Sequence, residues 1–317
     1  VGPHIDFQNR KIDGTFGNIG NHGDMTSGIA CGAGNIDPSY EGMAPGATLY
    51  TLNYQADFLD GTEALHTEQG VVLTNTSYSD GCNVGYTLGT QVVDRQLWDN
   101  KELMHVFSAG NSNNLDCGYG AGPQWGNITG GHKIAKNATT VANIKFDGTV
   151  EISSSRGPTK DGRMKPEVSA RGTDELSTDE NNQYQVGGGT SAAAPGVMGT
   201  MALLYQAYKQ KHMEQNPPGG LIKAILMNTA SDLGTPGPDY IHGMGMIDAY
   251  RAYQCIQAES YQLQTLHQSE TKQLTLNIPA NVKKAKLLLY WPESPSTPLS
   301  SRALINDLNL VLHDSRG

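Results

Sequence analysis

The stretch Gly187-Gly188-Gly189-Thr190-Ser191-Ala192-Ala193-Ala194-Pro195 places one serine at a glycine-rich turn that opens a long run of small and apolar residues. A helix start leaves backbone N–H groups unpaired and carries a partial positive charge, so an oxygen held there sits in a field that favours developing negative charge. The preceding glycines let backbone or substrate approach closely, and the small residues that follow let the helix sit deep in a core. A Gly-Thr-Ser-Ala run alone fits an ordinary helix cap. A catalytic reading needs a base and an oxyanion donor from elsewhere in the chain.

Two other stretches offer them. Asn21-His22-Gly23-Asp24-Met25-Thr26-Ser27-Gly28-Ile29 sets a histidine ahead of small residues and an apolar helical run. Val106-Phe107-Ser108-Ala109-Gly110-Asn111 reads as a buried strand that runs into a Gly-Asn turn. Histidine is the usual base for a serine nucleophile, because it titrates near neutral pH and its two nitrogens can face a serine and a carboxylate. An asparagine amide at a strand end can donate to the oxyanion formed when serine attacks a carbonyl. Taken singly, His22 is a loop histidine, Asn111 a turn residue and Ser191 a cap. In the order His, Asn, Ser at these wide spacings, they read together as a nucleophilic site.

With these motifs the chain resembles the subtilases, the subtilisin-like serine proteases. The family's His-Gly-Thr-His-Val-Ala-Gly motif corresponds to residues 22–28, Ala-Ala-Gly-Asn to residues 108–111, and Gly-Thr-Ser-Met-Ala-Ala-Pro to residues 189–195. Gly42-Met43-Ala44-Pro45-Gly46-Ala47 and the Ser-Ser-Arg-Gly-Pro stretch continuing to Lys165-Pro166-Glu167-Val168 also match. The resemblance implies Ser191 as nucleophile, His22 as base and Asn111 as oxyanion donor. It also implies that a substrate backbone pairs along Ser77, Tyr78 and Ser79, with Gly110 lining the pocket beside the scissile bond. Met25 stands in place of the family's second histidine, Ala192 in place of methionine, and Arg171 in place of the proline of Ala-Pro-Gly. The family usually has glycine at Ser79, and Asp80 beside it reads as a solvated loop carboxylate.

The third triad member is the open question. Subtilases carry an Asp-Thr/Ser-Gly turn after an apolar strand, well ahead of the histidine motif. Residues 1–21 hold only Asp6 and Asp13, and neither has that context. Three readings stand: the turn lies just ahead of Val1, a separate chain supplies it, or the triad is degenerate.

Composition sets bounds. The chain has 317 residues, enough for one large domain and part of a second. Its net charge of −9 argues against nucleic acid as a partner, and no apolar run approaches the ~20 residues of a membrane-spanning helix. A protein or peptide substrate is expected. Of four cysteines, Cys82 and Cys117 fall in loops that flank the specificity pocket in subtilases. The resemblance therefore suggests a disulfide between them, hence an oxidising compartment and a secreted or cell-surface location. Cys31 is expected as a buried thiol. No cofactor is needed for the chemistry; structural calcium is common among subtilases, but no ligand set is legible.

Strands are expected at residues 48–54, 71–79, 104–109 and 138–144, and helices at 24–32, 88–99, 191–211 and 221–230. This alternation predicts an α/β fold, a subtilisin-like parallel sheet with helices on both faces. Residues 1–258 would form the peptidase domain. Residues 259–317, with strand-like runs at 262–278 and 286–291 around a turn at Pro279-Ala280-Asn281, resemble the start of the C-terminal β-sandwich of certain alkaline subtilases. Further segments of the protein would complete it. Asn306-Asp307 reads as a structural turn in preference to a calcium ligand. An α/β-hydrolase would want Gly-x-Ser-x-Gly around the nucleophile, and Ser191 is followed by two alanines. None of the nine histidines has metalloprotease spacing. The rival reading is a weak or inactive subtilase-like module that binds peptides.

Overall fold

The computed structural model describes residues 1–15, 20–55 and 57–313. Its centre is a parallel sheet of β3 (Leu73–Thr76), β4 (Met104–Ser108), β5 (Thr139–Ile144) and β6 (Val168–Arg171), in that order. Every residue of β4 and β5 is buried. Parallel strands covered on both faces read as continuous buried runs, as these do. Two strands nearer the N-terminus, β1 (Lys11–Gly14) and β2 (Leu49–Leu52), form a separate parallel pair. A short antiparallel hairpin, β7 (Glu175–Thr178) with β8 (Tyr184–Gly187), leads into the nucleophile turn.

Among the described residues six α-helices accompany the sheets: α1 (His22–Cys31), α2 (Phe58–Gln69), α3 (Leu88–Asp99), α4 (Thr190–Lys211), α5 (Gly219–Thr229) and α6 (Ala249–Gln257). α4 is buried for most of its length. Ala193, Ala194, Val197, Met201 and Leu204 pack with Val106, Val141 and Val168 of the sheet, and with Ile222, Ile225, Ala252 and Ile256 of α5 and α6. On a helix this small-sided the backbone comes close to its neighbours. Pro195 lies inside α4 and has no N–H to offer the Ser191 carbonyl four residues back. That carbonyl instead accepts the Ser77 hydroxyl at 3.2 Å.

The expected strands form with shorter bounds, and the expected helices form within two residues of their expected ends. The strand expected over residues 71–79 ends at Thr76, so residues 77–79 continue as unpaired backbone. The larger difference lies in the last sixty residues. Among the described residues beyond 258 no ladder strand forms, and Leu263, Leu274, Leu276 and Ile278 are exposed. Their alternation is strand-like, but a strand exists only where a neighbour pairs with it, and none is present here. The stretch from Leu288 to Asn306 is different, because it docks on the main body. Glu293 is 3% exposed and pairs with Lys136 at 3.1 Å. Its backbone exchanges hydrogen bonds with the Asn137 side chain, at 2.7 and 2.9 Å. Its carboxylate also accepts from Ile305 and Asn306 N–H, at 2.9 and 2.6 Å.

Candidate active site

His22 and Ser191 occupy the first turns of two packed helices. Met25 and Ile29 of α1 form a buried cluster with Ala192 of α4, which fixes the two N-termini side by side. A Cβ at Gly187 would press on the Met25 side chain, 2.9 Å from its Cγ. Met25 thus fills space that glycine leaves open at 187. The small residue at 192 and the methionine at 25, both departures from the family pattern, fit one another.

Asn111 follows β4 through Gly110, whose φ of +116° suits glycine. The Gly110 N–H donates to Thr190 Oγ1 at 3.0 Å. Asn111 Oδ1 accepts from Thr190 N at 2.9 Å and Thr190 Oγ1 at 3.1 Å. With Oδ1 held in this way, the amide nitrogen is turned out beside Gly189, where an added Cβ would lie 2.8 Å from Nδ2. Gly189 itself has φ +93° and carries no side chain to crowd that donor. Thr190 was not singled out as functional from sequence, yet it orients the whole turn.

Ser191 is 9% exposed, and its hydroxyl donates to the Ser77 carbonyl at 3.2 Å. Ser77 therefore meets Ser191 twice, through its own hydroxyl and through its carbonyl. Its hydroxyl also accepts from Asn75 Nδ2 at 3.1 Å. Tyr78 puts its ring 5.4 Å from the His22 ring and stacks on Tyr54 at 4.8 Å. Ser79 is exposed, and its hydroxyl accepts from Gly81 N–H at 3.3 Å.

His22 is half-buried, and burial holds its imidazole below the ordinary histidine range. Its Nδ1 is enclosed and has no hydrogen-bond partner among the described residues. The carboxylates of Asp6, Asp24 and Asp13 are engaged elsewhere. Asp6 accepts from Gly34 N–H, Asn35 N–H and the Tyr184 hydroxyl at 2.8 to 3.1 Å. Asp24 accepts the Gly2 N–H at 2.6 Å. Asp13 stands in β1 and accepts from Thr15 and Thr51. Hydrogen bonds from these threonines and Lys11 hold its carboxyl far down, against the upward pull of its burial.

The loops beyond β3 and Asn111 are joined by the disulfide Cys82–Cys117, with Cα atoms 5.5 Å apart. Cys31 is a free, buried thiol, pushed up to about 11 by burial. Asp80 keeps half its side chain in solvent but faces His132 at 3.7 Å, whose hydrogen bond lowers its pKa. Lys133 is fully buried, its ammonium 3.0 Å from Thr129 Oγ1 and 3.3 Å from Ser108 Oγ, and desolvation brings it down to about 7. Among the described residues no three or more His, Cys, Asp or Glu side chains gather as a metal site. Among the described residues no helix is long and apolar enough to cross a membrane.

Comparison with known proteins agrees with this geometry. The model of the subtilase family matches residues 6–245. Tripeptidyl-peptidase 2 of Caenorhabditis elegans is 26% identical over 255 residues, covering 74% of this chain and 18% of the relative. C5a peptidase of Streptococcus pyogenes is 42% identical over 103 residues, 32% of this chain and 9% of the relative. The chain thus spans less than a fifth of either protein's length. Among solved structures, the prenylagaramide maturation protease PagA superposes with a TM-score of 0.64 at 18% identity, covering 80% of this chain and 89% of that one. The fold is shared well beyond the motifs, and with the family match over most of its length, the chain belongs to the subtilase family.

Proposed function

We propose that this chain carries the catalytic centre of a secreted serine endopeptidase. Ser191 Oγ attacks the peptide carbonyl while His22 Nε2 takes its proton. The oxyanion is held by Asn111 Nδ2 and the Ser191 N–H. His22 then returns the proton to the departing amine as the C–N bond breaks, and water hydrolyses the acyl-serine by the same steps in reverse. The observation that carries this reading is the fixed Asn111 amide. Its oxygen is held by Thr190, so its nitrogen is presented at the nucleophile turn before any substrate arrives. The disulfide Cys82–Cys117 supports an oxidising compartment.

A carboxylate from a segment outside residues 1–317 completes the triad at His22 Nδ1. Three features support this. Nδ1 is enclosed and unpartnered. Val1 lies against Gly23, where a Cβ would be 3.3 Å from the Val1 side chain. Among the described residues the edges of β2 and β3 turned away from their partners carry no ladder neighbour, while the Tyr54–Tyr78 stack draws the ends of the two strands together next to His22. A parallel strand added there would end at His22. In subtilisin itself the triad aspartate is worth about 10⁴-fold in turnover, less than serine or histidine, so residues 1–317 alone are expected to be a slow enzyme.

Labelling of the full-length protein with a fluorophosphonate tests the reading. An adduct on Ser191 that is lost in Ser191→Ala is expected. A folded protein with no adduct would favour the peptide-binding module instead.

A further inference from the structure

Beside the nucleophile turn is a cavity of about 340 Å³, walled by Asn143, Glu151, Ser153, Thr173, Asp174 and residues 186–189. Its last lining residue, Gly189, precedes Thr190 and Ser191 directly, so cavity and nucleophile share a wall. None of its lining residues belongs to the 77–79 segment, along which the acyl half of a substrate is proposed to run. A peptide that enters along that segment and passes Ser191 has its amine half on the other side, over Gly189.

The chemistry of its wall is acidic and unfinished. Among the described residues the Glu151 carboxylate pairs only with Lys145, at 3.6 Å, and that lysine is half exposed. Arg171 directs its guanidinium to Glu175 at 2.7 Å and donates to the backbone carbonyl of Asp174 at 3.5 Å. Among the described residues the Asp174 carboxylate has no ion-pair partner. Independently of the carboxylates, Asn143 is 1% exposed and its Nδ2 is buried with no acceptor, while its Oδ1 accepts from Thr173. An enclosed donor left unpaired is costly and uncommon. One that lines a cavity next to a reactive serine fits an acceptor brought by a ligand.

We infer that this cavity is a subsite for the residue following the scissile bond, selective for a lysine or arginine side chain. The cation lies between Glu151 and Asp174, and Asn143 Nδ2 donates to a carbonyl of the departing peptide. This rests on Ser191 being the nucleophile, and the test is arranged so that the two stand or fall separately. Full-length Ser191→Ala protein, immobilised, is offered a random octapeptide library, and retained peptides are sequenced by mass spectrometry. Lysine and arginine are expected to be enriched at least fivefold over input. The enrichment should drop below twofold in Ser191→Ala/Asp174→Asn and Ser191→Ala/Glu151→Gln, both of which should melt like the parent. No enrichment, or enrichment that survives both isosteric changes, overturns the subsite. Fluorophosphonate labelling of the unaltered protein reports on Ser191 alone and does not depend on this cavity.

Discussion

Gly28 lies one turn and a half into α1, on the face that meets β7, and replacing it by alanine tests how the site is held together. An added Cβ would sit 2.6 Å from Thr178 N and closer still to Ser177 Oγ and Thr178 Oγ1. The hydroxyls can rotate, but the backbone nitrogen cannot. Both hydroxyls are also in use, Ser177 donating to the Met25 carbonyl at 2.6 Å and Thr178 to the Asp24 carbonyl at 2.8 Å. Alanine in a helix interior is favoured over glycine by about 1 kcal/mol. Overpacking against rigid backbone costs about 1–3 kcal/mol, and two displaced hydrogen bonds cost about 1 kcal/mol each. The net expectation for Gly28→Ala is a loss of about 2–4 kcal/mol, or a fall in Tm of roughly 5–15 °C by the usual scaling for large domains. Thermal melts followed by far-UV circular dichroism measure it, with Gly46→Ala as control, because nothing lies within 4 Å of a Cβ there. Labelling of Ser191 should slow in Gly28→Ala, since α1 carries His22. A variant as stable as the parent would refute the claim that glycine at 28 sets the distance between α1 and the hairpin.

Three more outcomes are expected. Asn111→Ala should lower turnover by about 10²–10³, the cost of removing this type of donor in subtilisin itself, with a fall in Tm because the buried Thr190 N–H loses its acceptor; unchanged turnover would remove Asn111 from the oxyanion hole. His105 is fully buried between Thr74 and Gln96, and burial brings it down to about 3. Its folded pKa lies below the unfolded value near 6.5, so the stability it permits is complete above pH 6.5 and is lost as pH falls towards 3. Denaturant titrations should show a slope that approaches about 1.4 kcal/mol per pH unit from this group between pH 5.5 and 4, flattened in His105→Gln. Non-reducing mass analysis after alkylation should find two modified thiols, Cys31 and Cys255, and four after reduction. Cys82→Ser with Cys117→Ser should cost about 3–4 kcal/mol for a loop of 35 residues.

Much of the site can be read along the chain because its parts are local. His22, Asn111 and Ser191 each stand in a short motif whose backbone requirement is written beside it: glycine for a positive φ at 110 and 189, small residues for the close packing of α1 and α4. The core strands β4 and β5 are legible for the same reason, since a strand buried on both faces is an unbroken apolar run. The alternating run at 274–278 shows the limit of this kind of reading. Its pattern is that of a strand, but pairing is a property of the neighbour, and among the described residues none is there.

Other features depend on groups far apart in sequence, and only the tertiary structure decides them. Thr190 fixes Asn111 across 79 residues. The carbonyl freed by Pro195 is taken up by Ser77 across 114. Met25 fills the space left by Gly187. The enclosed and unpartnered Nδ1 of His22 and Nδ2 of Asn143 exist only once the chain is folded around them. The sequence by itself determined which residues could carry the chemistry, because bond-forming groups and backbone constraints are intrinsic to each residue. Which groups are paired, and which remain open to a substrate or a further segment, was decided by the fold, because pairing and burial depend on what the rest of the chain brings near.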